Sequence, residues 1–273
     1  MISLRCTFIA LTGLSALAFA EPAKLTPGPS PADNPLKGLV PYSAPDEDCF
    51  PHSLEFDYLR LADLMKGPKT FDWQTLDKLL DEVASRGNQT IFRVWIEYPG
   101  KDSGLPNFLR DAGVKVTSWQ NADEKTACHT PDYEDERLVS AIESFIAALG
   151  QRYDGDPRIG DITAGLLGSW GEWHTYPRED LFASVKTQQR VLSAYEKAFQ
   201  KTPVLLRYPV GENRDDLAAN ADLPFGYHDD SFAWGTLDTG KKSDSGFYRP
   251  SLKAAGDAAM RKWRPNTATP ITA

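Results

Sequence analysis

Strand-like and helix-like segments alternate along this chain, and no sequence typical of a tight hairpin turn separates them. In residues 72–86 and 134–153 the apolar side chains recur every three or four positions, as on one face of a helix. Further helices are predicted at residues 181–199, 214–220 and 252–263, and strands at 36–42, 56–64, 89–98, 159–167, 203–208 and 225–228. A strand followed by a helix, repeated in this way, predicts a parallel sheet with helical crossovers.

Two architectures satisfy this pattern, an open doubly wound sheet and a closed barrel. The doubly wound sheet that binds dinucleotides has a glycine-rich turn after its first strand, and this chain has none there. We therefore predict an α/β fold of the TIM-type (β/α) barrel. Six strands are predicted, with a fragment of a further one at residues 267–271, so the barrel is expected to be incomplete, with strands seven and eight truncated.

The N-terminal segment has the features of a cleaved signal peptide. Arg5 is its only charged residue, a mainly apolar run covers residues 6–18, and residues 18–20 have the small-x-small form of a cleavage site. The run is shorter than the roughly 20 residues that cross a bilayer, which favours cleavage over the alternative of a retained anchor. We expect a secreted, extracellular protein with a signal peptide (1–20), a flexible leader (21–33) and a barrel domain (34–273).

The charge balance restricts the partners of the chain. Its formal charge is −8, and it becomes −9 when Arg5 is removed with the signal peptide. This acidity disfavours nucleic acid and membrane surfaces as partners but does not oppose a neutral carbohydrate ligand. The oligomeric state stays open. No metal and no cofactor are predicted, because the four histidines lack the paired spacing of zinc ligands: His52, His129, His174 and His228.

Two covalent modifications are predicted for an exported chain. Cys49 and Cys128 remain after signal cleavage, and an oxidising compartment favours a disulfide between them. Two buried free thiols are the alternative. Asn88 begins an Asn-Gln-Thr sequon, which makes it a candidate glycosylation site in a eukaryotic host.

The densest group of chemically active residues lies in residues 165–174, where a strand-like segment leads into glycines and then into Glu172. Trp170 and Trp173 flank this carboxyl group. In a β/α barrel, catalytic groups follow the C-terminal ends of the strands. Apolar rings disfavour a charged carboxylate, so we predict a raised pKa and a general acid/base role for Glu172. A loop glutamate between two structural tryptophans is the alternative.

Other predicted strand ends also carry polar side chains. Glu97 follows the third predicted strand and Asp229 the sixth, and either could serve as a second catalytic carboxylate. Arg60 and Arg93 lie within strands, where an arginine is more often a buried partner of an acid than a substrate clamp. The candidates for substrate binding are Trp95, Trp170, Trp173, Trp234, Tyr208, His174, His228, Arg93 and Arg60.

Residues 34–38, 92–95, 168–174 and 228–232 resemble segments of a family of secreted barrel domains of unknown function. Members of this family occur in bacteria and fungi and are grouped with glycoside hydrolases. The resemblance extends over about residues 34–266, which is nearly all of the chain after the signal peptide and leader.

The resemblance implies a TIM barrel similar to that of clan-A glycosidases. Glu172 matches the acid/base glutamate that ends strand four of that clan. The chain departs from the clan at Gly171, where asparagine is usual. It departs from the family at residues 269–273, where a strand with a second carboxylate is expected.

The predicted function is therefore glycoside hydrolysis, or a degenerate descendant of it that has lost turnover. An O-glycoside hydrolase needs two carboxyl groups, about 5–5.5 Å apart for retention and about 6.5–9.5 Å apart for inversion. The alternative is a secreted carbohydrate-binding protein, which needs only rings and hydrogen-bonding groups. A purely structural surface protein explains the aromatic strand ends least well.

Overall fold

The computed structural model describes residues 40–45, 50–121, 125–207, 223–230 and 236. All of them belong to one compact unit, residues 32–273. The predicted signal peptide, the leader, the helices at 214–220 and 252–263 and the strand fragment at 267–271 lie outside the described residues.

The described chain contains the predicted alternation of strands and helices, interrupted by two short antiparallel hairpins. In chain order the elements are β1 (Leu54–Arg60), α1 (Leu61–Leu64), β2 (Met65–Gly67), β3 (Thr70–Phe71), α2 (Gln74–Ser85), β4 (Gln89–Trp95), α3 (Asn107–Asp111), β5 (Val116–Asn121), β6 (Thr126–Pro131), α4 (Glu136–Tyr153), β7 (Ile159–Thr163), α5 (Val185–Ala198), β8 (Val204–Leu206) and β9 (Gly226–Tyr227). Among these helices none is long and apolar enough to cross a membrane.

Five of the strands form one parallel sheet in the order β1-β4-β7-β8-β9. Of the strand predicted at 36–42 the structure describes residues 40–42, and Tyr42 forms a parallel bridge with Phe56 of β1. Each successive strand is added on the same side of the one before it. A doubly wound sheet instead reverses direction at a switch point, so the described strand order is that of consecutive β/α units.

The two faces of the sheet are covered differently. In β4, Phe92 and Val94 pack into the large apolar core formed with the helices, whereas Ile91 points to the other face and packs against Leu54 and Phe56. Alternate residues of a strand point to opposite faces, so Arg93 shares the face of Ile91. All but the first residue of β4 are buried, which agrees with a strand covered on both sides.

Two predictions about the connections were wrong. The segment from residue 99 to 131, predicted as a loop, contains α3 and an antiparallel hairpin formed by β5 and β6. The strand predicted at 56–64 ends at Arg60, and α1 and the short β2–β3 hairpin follow it. Neither hairpin has an Asn-Gly or Asp-Gly turn, and β5 lacks a regular alternation of buried and exposed residues, so the sequence signal was weak.

Candidate active site

The C-terminal ends of the parallel strands bring four charged side chains together. Arg93 lies near the end of β4, Glu172 lies in the segment that follows β7, and Arg207 comes directly after β8. Asp230 follows β9. Because parallel strands end at the same edge of their sheet, residues far apart in sequence meet at this edge.

Glu172 lies in a tight turn, residues 168–174, here named the Glu172 turn. Gly168 and Gly171 have φ angles of 76° and 70°, in the left-handed region that glycine adopts without steric cost. A side chain on Gly168 would clash with the carbonyl oxygen of His174. The turn is closed by two hydrogen bonds: the Ser169 N–H donates to the His174 oxygen at 2.7 Å, and the Glu172 N–H donates to the Ser169 oxygen at 2.9 Å.

Arg93 joins the two carboxylates of the site. Its Nη1 lies 3.3 Å from Glu172 Oε1, and its Nη2 lies 2.7 Å from Asp230 Oδ2. Arg207 contacts the same two groups, through Nη1 to Glu172 Oε2 and through Nε at 3.7 Å from Asp230 Oδ2. The two negative carboxylates are therefore balanced by two positive guanidinium groups, as the burial of charged side chains requires.

Two histidines complete this network. The Tyr176 N–H donates to His174 Nδ1 at 3.3 Å, so His174 Nε2 carries the proton and faces Glu172 Oε2 at 3.4 Å. His228 Nδ1 lies 2.9 Å from Asp230 Oδ1. Burial lowers the pKa of both imidazoles.

The pKa of Glu172 is shifted in the opposite direction from the prediction. Burial disfavours the carboxylate, but the charges of Arg207 and Arg93 and the hydrogen bond from His174 outweigh it, and the pKa is lowered. The pKa of Asp230 is held well below its usual range, against burial, by Arg93 and His228. The sequence could not show that two arginines would reach these carboxylates. The positive charge of the arginines decides the direction of the pKa shifts.

A row of aromatic rings lies beside the carboxylates. The ring centroids of Tyr42 and Tyr58 are 6.3 Å apart, those of Tyr58 and Tyr98 are 5.5 Å apart, and those of Tyr98 and Trp170 are 6.3 Å apart. The Tyr58 hydroxyl donates to Glu172 Oε1 at 3.4 Å. Tyr42 is 36% exposed, and Tyr98 and Trp170 are partly exposed, so the row presents rings to solvent.

The other two tryptophans predicted to bind substrate and described by the structure are buried. Trp173 packs in the apolar core, and its Nε1 donates to the carbonyl oxygen of Ala164 at 2.9 Å. Trp95 is buried with its ring 5.3 Å from that of Tyr98. Of the three predicted tryptophans that the structure describes, Trp170 therefore has the placement that a stacking role needs.

Three other predicted polar residues form hydrogen bonds with groups outside the Glu172–Asp230 pair. Glu97 is fully buried and accepts a hydrogen bond from Ser169 at 3.1 Å. Asp229 accepts from Thr236 at 2.5 Å. Arg60 donates to the carbonyl oxygen of Ser103 at 2.5 Å. The carboxylate that the fold brings beside Glu172 is thus Asp230, rather than either acid predicted to be its partner.

Several predicted residues lie outside this site or outside the described residues. Cys49, Tyr208 and Trp234 belong to the second group, so the disulfide of Cys49 with the buried Cys128 stays a prediction. The Asn88 amide donates to Glu55 at 2.9 Å, so the predicted glycosylation site takes part in a packed contact. Within the described ranges no group of three or more His, Cys, Asp or Glu side chains could hold a metal ion.

The fold is similar to solved structures of glycoside hydrolases. The GH5_18 protein of Bifidobacterium longum is 10% identical with a TM-score of 0.46, over 79% of this chain and 59% of that chain. A family 39 glycoside hydrolase from Bacteroides cellulosilyticus is 10% identical with a TM-score of 0.47, over 72% of this chain and 38% of that one. Endo-glycoceramidase II from Rhodococcus sp. is 13% identical with a TM-score of 0.45, over 77% of this chain and 55% of that one.

This chain spans about 59% of the length of the Bifidobacterium protein. At such identities and TM-scores the similarity concerns the arrangement of the fold and assigns no residue. No family model matches the chain, and no curated protein matches it.

Five residues of the site were not among the predicted site residues: Asp230, Arg207, Tyr42, Tyr58 and Tyr98. Asp230 and Arg207 stand at predicted strand ends, so position alone could have found them. Tyr58 lies opposite Arg93 in the β1–β4 register, which the sequence does not reveal. Side chains of register partners point to the same face, and the Arg93 guanidinium carbon lies 5.6 Å from the Tyr58 ring centroid.

Proposed function

We propose that this chain is a glycoside-hydrolase-like protein that acts on a neutral carbohydrate at the Glu172–Asp230 site. The observation that carries the proposal is that one buried arginine, Arg93, joins two carboxylates from different strand ends beside the partly exposed aromatic row. The common glycosidase mechanisms use such a pair of carboxyl groups.

The different surroundings of the two carboxyl groups favour different roles. The pKa of Asp230 lies well below its usual range, so Asp230 stays ionised in acid solution. The pKa of Glu172 is also lowered, but the negative charge of Asp230 raises it and partly offsets the arginines, which makes Glu172 the better candidate to carry a proton in acid solution. Glu172 would then protonate the leaving oxygen, and Asp230 would be the nucleophile or the base.

The aromatic row supports a sugar as the ligand. Partly exposed rings with polar groups at their edges suit the flat apolar faces and the hydroxyls of a saccharide. We further propose that the parallel sheet continues into a β/α barrel and that the protein is secreted, as expected from residues 1–20. The sequential strand order of the described sheet supports the barrel.

A carbohydrate-binding protein without turnover is the second candidate. The contact of Arg207 with Glu172 favours it, because a carboxyl group neutralised by an arginine has little tendency to hold a proton near neutral pH. Binding needs no proton donor, whereas hydrolysis does.

The test is to incubate the full chain with a panel of aryl glycosides and neutral oligosaccharides from acidic to neutral pH, and to measure binding of the same ligands by calorimetry. Glu172→Gln and Asp230→Asn are compared with Glu82→Gln, a control at an exposed glutamate of α2. We expect hydrolysis at acidic pH that is lost in both site variants, by on the order of 10²–10⁴ for the acid, and kept in the control.

Saturable binding that is lost in a Trp170→Ala variant, with no hydrolysis at any pH, would favour the binding protein. Absence of both binding and hydrolysis across the panel would contradict the proposed function.

A further inference from the structure

The buried carboxyl group of Glu97 connects three segments next to the site. Glu97 lies two residues beyond β4, pairs with Ser169 in a parallel bridge, and accepts a hydrogen bond from the Ser169 hydroxyl at 3.1 Å. The hydroxyl of Thr130, on β6, faces the same carboxyl group. The loop after β4, the β5–β6 hairpin and the Glu172 turn therefore meet at this side chain.

Ser169 links Glu97 to the residues of the candidate site. The backbone N–H of Ser169 donates to the carbonyl oxygen of His174, and the backbone carbonyl oxygen of Ser169 accepts from the Glu172 N–H. Next to it, the Gly168 N–H donates to the Tyr133 hydroxyl at 2.8 Å. A shift of Ser169 would thus move the backbone that orients Glu172.

We propose that Glu97 is a positioning residue, which holds the Glu172 turn in place through Ser169. The inference rests on the proposed function for its consequence in catalysis. Glu97 is not a catalytic residue in this arrangement, because its side chain is fully buried and its hydrogen bond goes to Ser169 rather than to Glu172. Its position after a strand end had suggested a catalytic carboxylate.

The protonation of Glu97 makes this role measurable. Burial raises its pKa to about 7, although the hydroxyls of Thr130 and Ser169 favour the charged form. Tyr133 is the titratable group that faces Glu97, and its own pKa is raised well above its usual value by burial. A negative charge therefore develops beside Ser169 near neutral pH, and the Glu172 turn should respond to it.

The test follows the backbone amide resonances of Ser169 and Glu172 by NMR in the full chain between about pH 6 and 8.5, a window that brackets the ionisation of a carboxyl group with a pKa near 7. The variants are Glu97→Gln, Glu97→Ala and Ser169→Ala. Glu55→Gln is the matched control, because Glu55 is equally buried but lies at the opposite end of β1, paired with Arg86.

In the unmodified chain and in the Glu55 control, both amides should shift with a midpoint near pH 7. Glu97→Gln should keep the low-pH positions at every pH, because the amide carbonyl still accepts from Ser169. Glu97→Ala should displace both resonances throughout, and Ser169→Ala should remove the transition at Glu172. Where turnover is measurable, kcat should fall on the order of 10- to 100-fold in Glu97→Ala, with partial recovery in Glu97→Gln.

A transition that persists at Glu172 in Glu97→Gln or in Ser169→Ala would overturn the proposal, and so would Glu97→Ala spectra that superimpose on those of the unmodified chain. If Glu97→Ala fails to fold, the other two variants decide. The resonances need no turnover, so a chain without hydrolysis would count against the proposed function and leave this inference standing.

Discussion

Arg93 of β4 holds the carboxylate of Asp230, which lies 137 positions later in the chain, with its Nη2 2.7 Å from Oδ2. The same guanidinium contacts Glu172 through Nη1. Since the Arg93 side chain is fully buried, its loss would leave two carboxylates with Arg207 alone, so one negative charge would be uncompensated. Arg93 therefore contributes both to the architecture of the site and to its stability.

Replacement of Arg93 by methionine should destabilise the fold by about 3–5 kcal/mol, because it leaves two buried carboxylates with Arg207 alone. The free energy of unfolding in urea measures this loss. Arg178→Met, which removes an exposed ion pair with Asp180, is the control and should leave the stability unchanged. Equal stability of the two variants would contradict the role assigned to Arg93.

The hydrolytic activity expected of the Glu172–Asp230 site should be confined to acidic pH. Glu172 must carry a proton to act as the acid, and its pKa lies below the ordinary 4.5. The value of kcat/KM should therefore fall about tenfold for each pH unit above that pKa. A pH profile of kcat/KM checks this, with the fold monitored by circular dichroism across the range. An optimum near neutrality would show that Glu172 is not the proton donor.

Glu97 should make the folded state less stable as the pH rises. Its pKa is about 7 in the folded chain, against an ordinary 4.5, so the folded state binds more protons between these values. The contribution of protonated Glu97 to the free energy of unfolding is complete below about pH 4.5 and is lost by about pH 7. This contribution amounts to about 3 kcal/mol at most.

The difference in unfolding free energy between the unmodified chain and Glu97→Gln should therefore change by this amount across the window. Taking a difference cancels the contributions of His174 and His228, whose lowered pKa values act in the opposite sense. A constant difference would mean that Glu97 titrates normally.

The Glu172 turn should not tolerate a side chain at Gly168. Gly168→Ala forces alanine into a positive φ and also drives its Cβ into the His174 carbonyl. Gly87→Ala is the matched control, because Gly87 has a φ of 83° but open space around its Cβ position. Gly87→Ala should lower the free energy of unfolding by about 1–2 kcal/mol, through backbone strain alone. Gly168→Ala should lower the free energy of unfolding clearly more and should weaken ligand binding. Equal losses of stability in the two variants would contradict the predicted clash.

Local patterns in the sequence were enough to predict the parallel α/β architecture and its principal helices. The apolar spacing at 72–86, 134–153 and 181–199 corresponds to α2, α4 and α5 within a few residues. Helical and strand periodicities arise from the geometry of a few consecutive residues, so they can be read without the fold. The same reasoning placed Glu172 after a strand end at the edge where the site lies.

Only the tertiary structure decided which charged groups meet. The neighbouring residues Asp229 and Asp230 look equivalent in sequence, yet Asp230 pairs with Arg93 whereas Asp229 accepts from Thr236. The pKa of Glu172 is lowered rather than raised because Arg207 and Arg93 reach it from other strands. Such contacts depend on strand register and on the direction of each side chain, and electrostatic interactions act through space between residues that no local pattern connects.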